Sequence, residues 1–396
     1  MKLAKRMDRL GTENAFLVLT EVNKLIALGK DILSFCIGEP DFDTPQNIKA
    51  TAVKALKDGY THYGPSAGLL EVREVVADYI SKTRNIKAKP DEVVITPGGK
   101  PIIYHSIHAI AEEGDEVIYP NPGFPIYESV INFVGAKPVP APLLEKKGFT
   151  FDLNQIRQLV NKKTKMIILN SPQNPTGGIQ LKEDLKELAN IATDNDLWVL
   201  SDEIYSRIIY EGQFNSISTL NGMKDRTIIL DGFSKTYAMT GWRIGYGVMH
   251  KEMAAKIAQL ETNCESCTAT FTQLAAREAY LGPQDETDKM VAEFKVRRDI
   301  MVDGLNDIKG ITCFRPKGSF YVFPNVTEAC RSMGFTSSKE FQEHLLYEAD
   351  VAVLSRFSFG LKNEGEDQEY IRLSYATSRY NIKKGLKRIK VAVEGR

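Results

Sequence analysis

The 396-residue chain carries 51 lysines and arginines against 51 aspartates and glutamates, so no global field draws it to nucleic acid or to an anionic membrane. Hydrophobic residues make up 43%, and no apolar run approaches the ~20 residues of a membrane-spanning helix; the expectation is a globular chain long enough for two domains. The opening stretch "MKLAKRMDRLGTENAF" lacks the apolar core of a signal peptide, which makes the cytoplasm the default location, and five cysteines read as reduced thiols rather than a disulfide framework.

In chain order, a helix is expected at about 14–29, followed by "ILSFCIGEPDFDTP" (32–45), rich in Pro, Asp and Gly. From residue 93 short β-rich runs alternate with helical patterns. The strand candidates are 93–96, 116–119, 166–170, 197–201, 227–231 and 245–249, and the helical stretches are about 101–113, 124–134, 181–195 and 251–262. Several of the runs are almost wholly apolar, as in strands buried on both faces, and the alternation argues a parallel sheet with helices on both sides. The last third differs: a long helix at 285–309, strand candidates at 312–314, 319–323, 351–354 and 370–374, and helices at 337–348 and 381–393. The fold class is therefore α/β. A large domain at 46–280 holds a mostly parallel sheet sandwiched by helices. A smaller α+β domain spans 281–396, and the N-terminal segment 1–45 packs with it.

Ligands of open parallel sheets bind at the carboxyl ends of the strands. Five successive ends here offer "PGGK" (97–100), "PNPGF" (120–124), "SPQNPTGG" (171–178), "DEIY" (202–205) and "GFSKTY" (232–237). Each has a plain structural explanation. Gly98 and Gly99 can form a tight turn or, at a helix start, hold a phosphate on backbone N–H groups. Asn174 suits a turn, Asp202 a helix cap, Phe124 a core and Lys235 the surface; Arg243 could pair with any carboxylate. The stretch "GWRIGYG" (241–247) is no dinucleotide loop, because its glycines fall before and within the strand. Cys264 and Cys267 form a lone C-x-x-C with neither a second pair nor a nearby His in sequence, so no metal is expected. Taken together, the strand-end groups match the needs of pyridoxal phosphate: a lysine for a Schiff base, a carboxylate facing the pyridine nitrogen, phosphate contacts and donors to the phenolic oxygen. Lys235, Asp202, the Gly98–Gly99 turn with Arg243, and Asn174 with Tyr205 supply these groups.

The blocks "GEPDFDTP" (38–45), "THYGPSAGLLEVRE" (61–74), "TPGGK" (96–100), "NSPQNPTGG" (170–178), "SDEIY" (201–205), "SKTYAMTGWRIGY" (234–246) and "YIRLSYATS" (370–378) are similar, in order and spacing, to those of class I/II, fold type I aminotransferases. Within that group the chain resembles the prokaryotic aspartate aminotransferases. The resemblance implies that Lys235 carries the cofactor and shuttles the substrate proton, and that Asp202 pairs with the pyridinium nitrogen. It implies that Asn174 and Tyr205 bond the phenolic oxygen, Phe124 stacks on the ring, and Gly98, Gly99, Lys100 and Arg243 lie on the phosphate side. Tyr63 would reach the phosphate of a neighbouring subunit in a homodimer with shared sites. Arg372 would clamp the substrate α-carboxylate, with Gly38 helping through its backbone. Asn174 and Phe124 would also face the substrate.

For selectivity, Lys100 sits where relatives place a cation near a dicarboxylate side chain. Arg356, in "SRFSFG" (355–360), is expected at the pocket rim, either binding an acidic side chain or helping the small domain close, or else as a solvated loop arginine. The expected reaction moves an amino group from an L-amino acid (aspartate or glutamate, broad or aromatic specificity) to a 2-oxo acid such as 2-oxoglutarate, with ping-pong kinetics. The competing readings are a lyase or synthase of the same fold, and a non-catalytic effector-binding protein, which the intact lysine disfavours. Membranes and nucleic acid are not expected partners.

Overall fold

In the computed structural model of the chain, which describes residues 2–395, the short apolar runs become strands of one central sheet. A two-residue strand β1 (Leu33–Ser34) comes first, then β2 (Val93–Thr96), β3 (Glu116–Asn121), β4 (Lys137–Leu144), β5 (Thr150–Phe151), β6 (Thr164–Asn170), β7 (Trp198–Asp202), β8 (Thr227–Gly232) and β9 (Gly245–Val248). β2 to β9 form an eight-stranded sheet in the order β2-β9-β8-β7-β6-β3-β4-β5. Neighbours β3, β4, β6, β7 and β8 run parallel, while β9 opposes both β2 and β8, and β5 opposes β4.

Successive side chains of a strand point to opposite faces, and here both faces are covered. Val94, Met166, Ile168, Leu200, Ile228 and Leu230 pack with the helices Lys100–Ile110, Ile126–Val134 and Lys251–Cys264. Their neighbours Ile95 and Ile229 pack on the other side against helices Gln46–Lys57, Leu70–Arg84 and Thr270–Leu281, and Ile167, Leu169 and Val199 against Lys182–Asp194. This two-sided burial is why the strands read as continuous apolar runs.

β4, "KPVPAPLL", is not among the expected strands, and proline cannot donate to a ladder. Its three prolines, Pro138, Pro140 and Pro142, fall on every second residue. In a parallel pair, alternate N–H groups face alternate neighbours. The N–H of Lys137 donates toward β3, to the Asp115 carbonyl at 2.8 Å, so the proline nitrogens turn to the other edge. There only Leu143 and Leu144 pair, with β5.

The C-terminal part adds β10 (Tyr321–Val322), β11 (Val351–Ala352), β12 (Leu354–Ser355) and β13 (Ile371–Ser374). β10-β13-β12 form an antiparallel sheet, while β1 pairs in parallel with β11, Leu33 opposite Val351. Leu33 and Phe35 share a core with Phe294, Met301, Phe341, Leu345 and Ile389 of the helices Asp285–Asn306, Ser338–Glu348 and Arg379–Glu394. The expected strand at 312–314 is only a single bridge, Thr312 to Asn325. The side-chain amide of Asn306 explains why: it accepts from the Cys313 N–H at 2.8 Å and donates to the Cys313 carbonyl at 3.2 Å, replacing a strand neighbour. Among the described residues, no helix is long and apolar enough to cross a membrane.

Candidate active site

The register of the parallel strands brings Asn170, Asp202 and Leu230 to one level. Just beyond that level lies a cavity of about 480 Å³ lined by groups from six strand ends and from the N-terminal segment. Lys235, four residues into the turn after Asp231, projects its Nζ to the Gly38 carbonyl at 2.6 Å. Burial removes hydration from its ammonium and lowers its pKa to about 8; Arg372 and Arg243 add to the lowering, and Glu39 opposes it. Asp202 closes β7 and is 4% exposed. It accepts from Tyr127 Oη at 2.6 Å and from the Ile204 N–H at 3.3 Å. Burial raises its pKa to about 6, against the lowering effect of those donors.

On the β2 side, Gly98 has φ +93, and a side chain there would strike the guanidinium of Arg243. Gly99 then caps the helix Lys100–Ile110 without any side-chain acceptor, and Gly99 and Lys100 line the cavity at that helix start. Arg243 is itself held at φ 53, an uncommon conformation for a non-glycine, and donates to the carbonyls of Thr240 at 2.8 Å and Pro97 at 3.3 Å.

Arg372 on β13 donates from Nη1 to Asn174 Oδ1 at 3.1 Å and from Nη2 to the Cys36 carbonyl. Its guanidinium lies 4.6 Å from the ring centre of Tyr321 and 4.9 Å from that of Phe359. Its Nε is buried and without a partner. A buried unpaired donor on a cation is costly, so the group is built to receive an anion. Tyr205 and Tyr321 share a hydrogen bond between their hydroxyls at 2.8 Å. Tyr321 also explains Gly38: any side chain there would overlap its hydroxyl.

Lys100 lies at the mouth, paired with Glu13, 5.4 Å from the ring centre of Phe124 and 5.9 Å from that of Phe16. Gly38, Gly99, Lys100, Phe124, Asn174, Asp202, Tyr205, Lys235, Arg243 and Arg372 therefore meet at one cavity.

Three sequence candidates do not line it; Gly98 sits just behind, against the Arg243 guanidinium. Tyr63 is 89% exposed and outside the lining. Arg356 lies neither at the rim nor in solvent. It is fully buried, donating from Nε and Nη2 to Glu366 at 2.6 and 2.8 Å, and from its remaining N–H groups to Asn121 Oδ1 and the carbonyls of Gly360 and Leu361. With each guanidinium nitrogen engaged, it fastens the 356–366 loop and is turned away from the cavity. Sequence reasoning missed Tyr127, Tyr321 and Glu13. Tyr127 follows Phe124 by three residues, and their rings meet edge to face with centres 5.9 Å apart; Glu13 carried no local signal.

Behind the lysine and the aspartate lies a second buried charge group. Arg84, from helix Leu70–Arg84, donates to Glu203 Oε2 at 2.8 Å and to Asp231 Oδ2 at 2.7 Å, all three side chains at most 3% exposed. Ser201 and Ser216 donate to Glu203 Oε1, and Ser206 to Asp231 Oδ2. Burial pushes the Asp231 pKa up to about 7 despite Arg84. Glu203 adjoins Asp202, and Asp231 precedes the Lys235 turn, so this network fixes both strand ends.

The donor set fits a planar cofactor with a basic ring nitrogen, an aldehyde and a phosphate. Asp202 faces the cavity as a carboxylate, Lys235 offers an amine, and Arg243 offers a cation whose guanidinium an added Cβ at Gly98 would displace.

Comparison with known proteins agrees. Residues 30–389 match the family model for aminotransferase class I and II. The chain is 40% identical to the aspartate aminotransferase of Pyrococcus abyssi over 96% of both chains. It is 38% identical to an aromatic-amino-acid aminotransferase of Thermococcus litoralis over 93% of this chain and 94% of that one. Its fold superposes with a TM-score of 0.92 on the Thermus thermophilus aspartate aminotransferase solved with maleate, at 33% identity, covering 99% of this chain and 100% of that one.

Proposed function

The chain belongs to the aminotransferase class I and II family, and from that premise we propose that it transfers the amino group of an L-amino acid to a 2-oxo acid such as 2-oxoglutarate, in a ping-pong cycle with pyridoxal phosphate. Aspartate or glutamate is the preferred donor, with aromatic side chains also admitted. The observation that carries this reading is the convergence of Lys235, Asp202 and the unpaired Arg372 Nε on one cavity. When bound, pyridoxal phosphate supplies an electrophilic carbonyl and an electron sink. Lys235 would hold it, Asp202 would face its ring nitrogen, Asn174 and Tyr205 its phenolic oxygen, and Phe124 its ring. The helix start at Gly99, with Gly98, Lys100 and Arg243, would face its phosphate.

The chain's own groups account for the proton chemistry. With its pKa lowered from 10.5 to about 8, Lys235 at pH 7 is neutral about 300 times more often than an ordinary lysine. A neutral Nζ can accept the proton from the substrate Cα and return it on the other side of the reaction. Arg372 orients the substrate by its α-carboxylate, and the Asn174 carbonyl oxygen fixes the guanidinium plane. Asp202, held by Tyr127, stays largely ionised above pH 6 and favours a protonated ring nitrogen opposite it.

The mouth bears on the substrate. Lys100 is already neutralised by Glu13. A second substrate carboxylate would displace Glu13, whereas an uncharged side chain would leave the pair intact and lie against Phe16 and Phe124. This supports acidic substrates with tolerance for aromatic ones. The homodimer is supported by Tyr63, whose exposed phenol is free to enter a second copy's site. The division into 46–280, and 281–396 with the N-terminal 45 residues, is supported by the shared core of Leu33 and Phe35 with the C-terminal helices.

The test is a half-reaction screen. Single amino acids are added to the purified holoenzyme while loss of the lysine-bound cofactor absorbance is followed. Conversion by aspartate or glutamate is expected, and failure of every amino acid would overturn the reading.

A further inference from the structure

The last turn of the helix Lys251–Cys264 carries an arrangement that transamination does not use. Glu261, Cys264 and Glu265 stand at i, i+3 and i+4 and so share one helical face. No lysine or arginine lies in that last turn, although the helix dipole there carries about half a negative charge. Two carboxylates and a thiol at that end therefore lack the usual compensation. Facing them from the helix Lys100–Ile110 is His105, buried, with Nε2 at 3.1 Å from Glu261 Oε2 and 3.8 Å from Glu265 Oε2. One ligand atom each from His105, Cys264 and Glu265 lies within 4.8 Å of the others. Glu261 is 0% exposed, and its Oε1 has no hydrogen-bond partner. A buried carboxylate oxygen left unpaired beside a second carboxylate is unfavourable unless a cation or a proton compensates it.

We propose that His105, Glu261, Cys264 and Glu265 form a binding site for one zinc-class divalent cation, which ties the end of the helix Lys251–Cys264 to the helix Lys100–Ile110. An imidazole nitrogen, a thiolate and carboxylate oxygens are the donor mix of zinc and its neighbours, and not of magnesium or calcium, which take oxygen alone. Tetrahedral zinc with bonds of about 2.0–2.3 Å holds its ligand atoms about 3.3–3.7 Å apart. The His105 separations of 3.1 and 3.8 Å from the two carboxylates bracket that range. Cys264 and Glu265 are exposed, so their side chains can swing inward to close the remaining gap. Binding releases the Cys264 thiol proton to solvent and changes no oxidation state.

The role is structural, at the edge of the catalytic machinery. The helix bearing His105 begins at Lys100 on the catalytic cavity. The turn after Glu265 leads to Cys267, whose Sγ accepts the Gly64 N–H at 3.4 Å.

The experiment uses full-length holoenzyme stripped of trace metal with a chelator and then titrated with Co²⁺ and, separately, Zn²⁺. One Co²⁺ per protomer is expected, with the intense visible d–d bands of a tetrahedral thiolate site, and Zn²⁺ should raise the melting temperature. Cys264→Ser and Glu265→Gln, both at exposed positions, should lose the cobalt bands and the thermal shift while keeping the transamination rate. The absence of saturable binding, or cobalt bands and thermal shift unchanged in both variants, would overturn the site and leave His105 and Glu261 as a simple hydrogen-bonded pair.

Discussion

Replacing Arg84 by leucine tests whether the network behind the catalytic strand ends holds by charge. The substitution removes five donors and a positive charge from a place where Glu203 and Asp231 are 1% and 3% exposed. Breaking a buried pair on one side costs about 3–5 kcal/mol, because the remaining charge stays buried. At about 2.1 cal/mol/K of unfolding entropy per residue, that cost lowers the melting temperature of this chain by about 4–6 °C near pH 8.

The pH dependence carries the sign. The Asp231 pKa is raised from 3.8 to about 7 in the folded protein, so the native state holds its proton more tightly than the unfolded state does. Protonation therefore favours folding as pH falls through 7, and the penalty of the charged form is full above it. Without Arg84 this rise becomes larger. The deficit of Arg84→Leu should be greatest at pH 8–9 and shrink toward pH 5, and adding Asp231→Asn should recover part of it. Melting curves followed by circular dichroism from pH 5 to 9 decide the matter. A deficit independent of pH would refute the electrostatic account and leave only lost packing against Phe214, whose ring centre lies 4.8 Å away.

Three further outcomes follow from the site. Capture of pyridoxal phosphate by the apo-protein should accelerate as pH rises through about 8, where Lys235 loses its proton, and level off above; stopped-flow absorbance measures this, and Lys235→Ala should abolish capture and lower turnover by at least about 10²–10⁴-fold. Glu13→Gln frees Lys100, so kcat/KM for aspartate should rise by up to about fivefold, the upper worth of a partly exposed pair, while that for phenylalanine stays constant; equal changes for both would remove Lys100 from selectivity. Arg356→Ala strands Glu366 and should cost about 3–5 kcal/mol of stability, yet leave the ratio of aspartate to phenylalanine rates unaltered in a competition assay.

The strands bearing the site were legible because burial on both faces makes each an apolar run, and the residues that follow each run are then candidate ligands by position alone. Lys235, Asp202 and Asn174 are found this way without reference to their partners. β4 was illegible because three prolines suppress the ordinary strand signal. Their common parity, which lets the ladder to β3 form, means something only once a neighbouring strand is known. Arg356 misled for a related reason. A loop arginine near a pocket and a loop arginine consumed by its own loop look alike in sequence. The difference rests on Glu366, ten residues on, and Asn121, on a distant strand. Arg84 and His105 were invisible as functional candidates because their carboxylates lie 119 and 156 residues away.

The charges around the cavity suggest what it admits. Its lining holds Lys100, Lys235, Arg243 and Arg372 against Glu13, Glu39 and Asp202. Glu13 cancels Lys100, and burial leaves Lys235 partly neutral near pH 8. Asp202 has Tyr127 as donor and, in the proposed function, would face a protonated ring nitrogen. The positive charge that remains uncommitted sits on two arginines from separate elements, Arg372 on β13 and Arg243 in the turn before β9. Two localised cations in one cavity suit two anions, which under the proposed function would be a phosphate beside Arg243 and a carboxylate at Arg372. A substrate without an α-carboxylate would leave the Arg372 Nε unpaired in a dry site, and that cost, more than any contact with the side chain, confines the enzyme to amino and oxo acids.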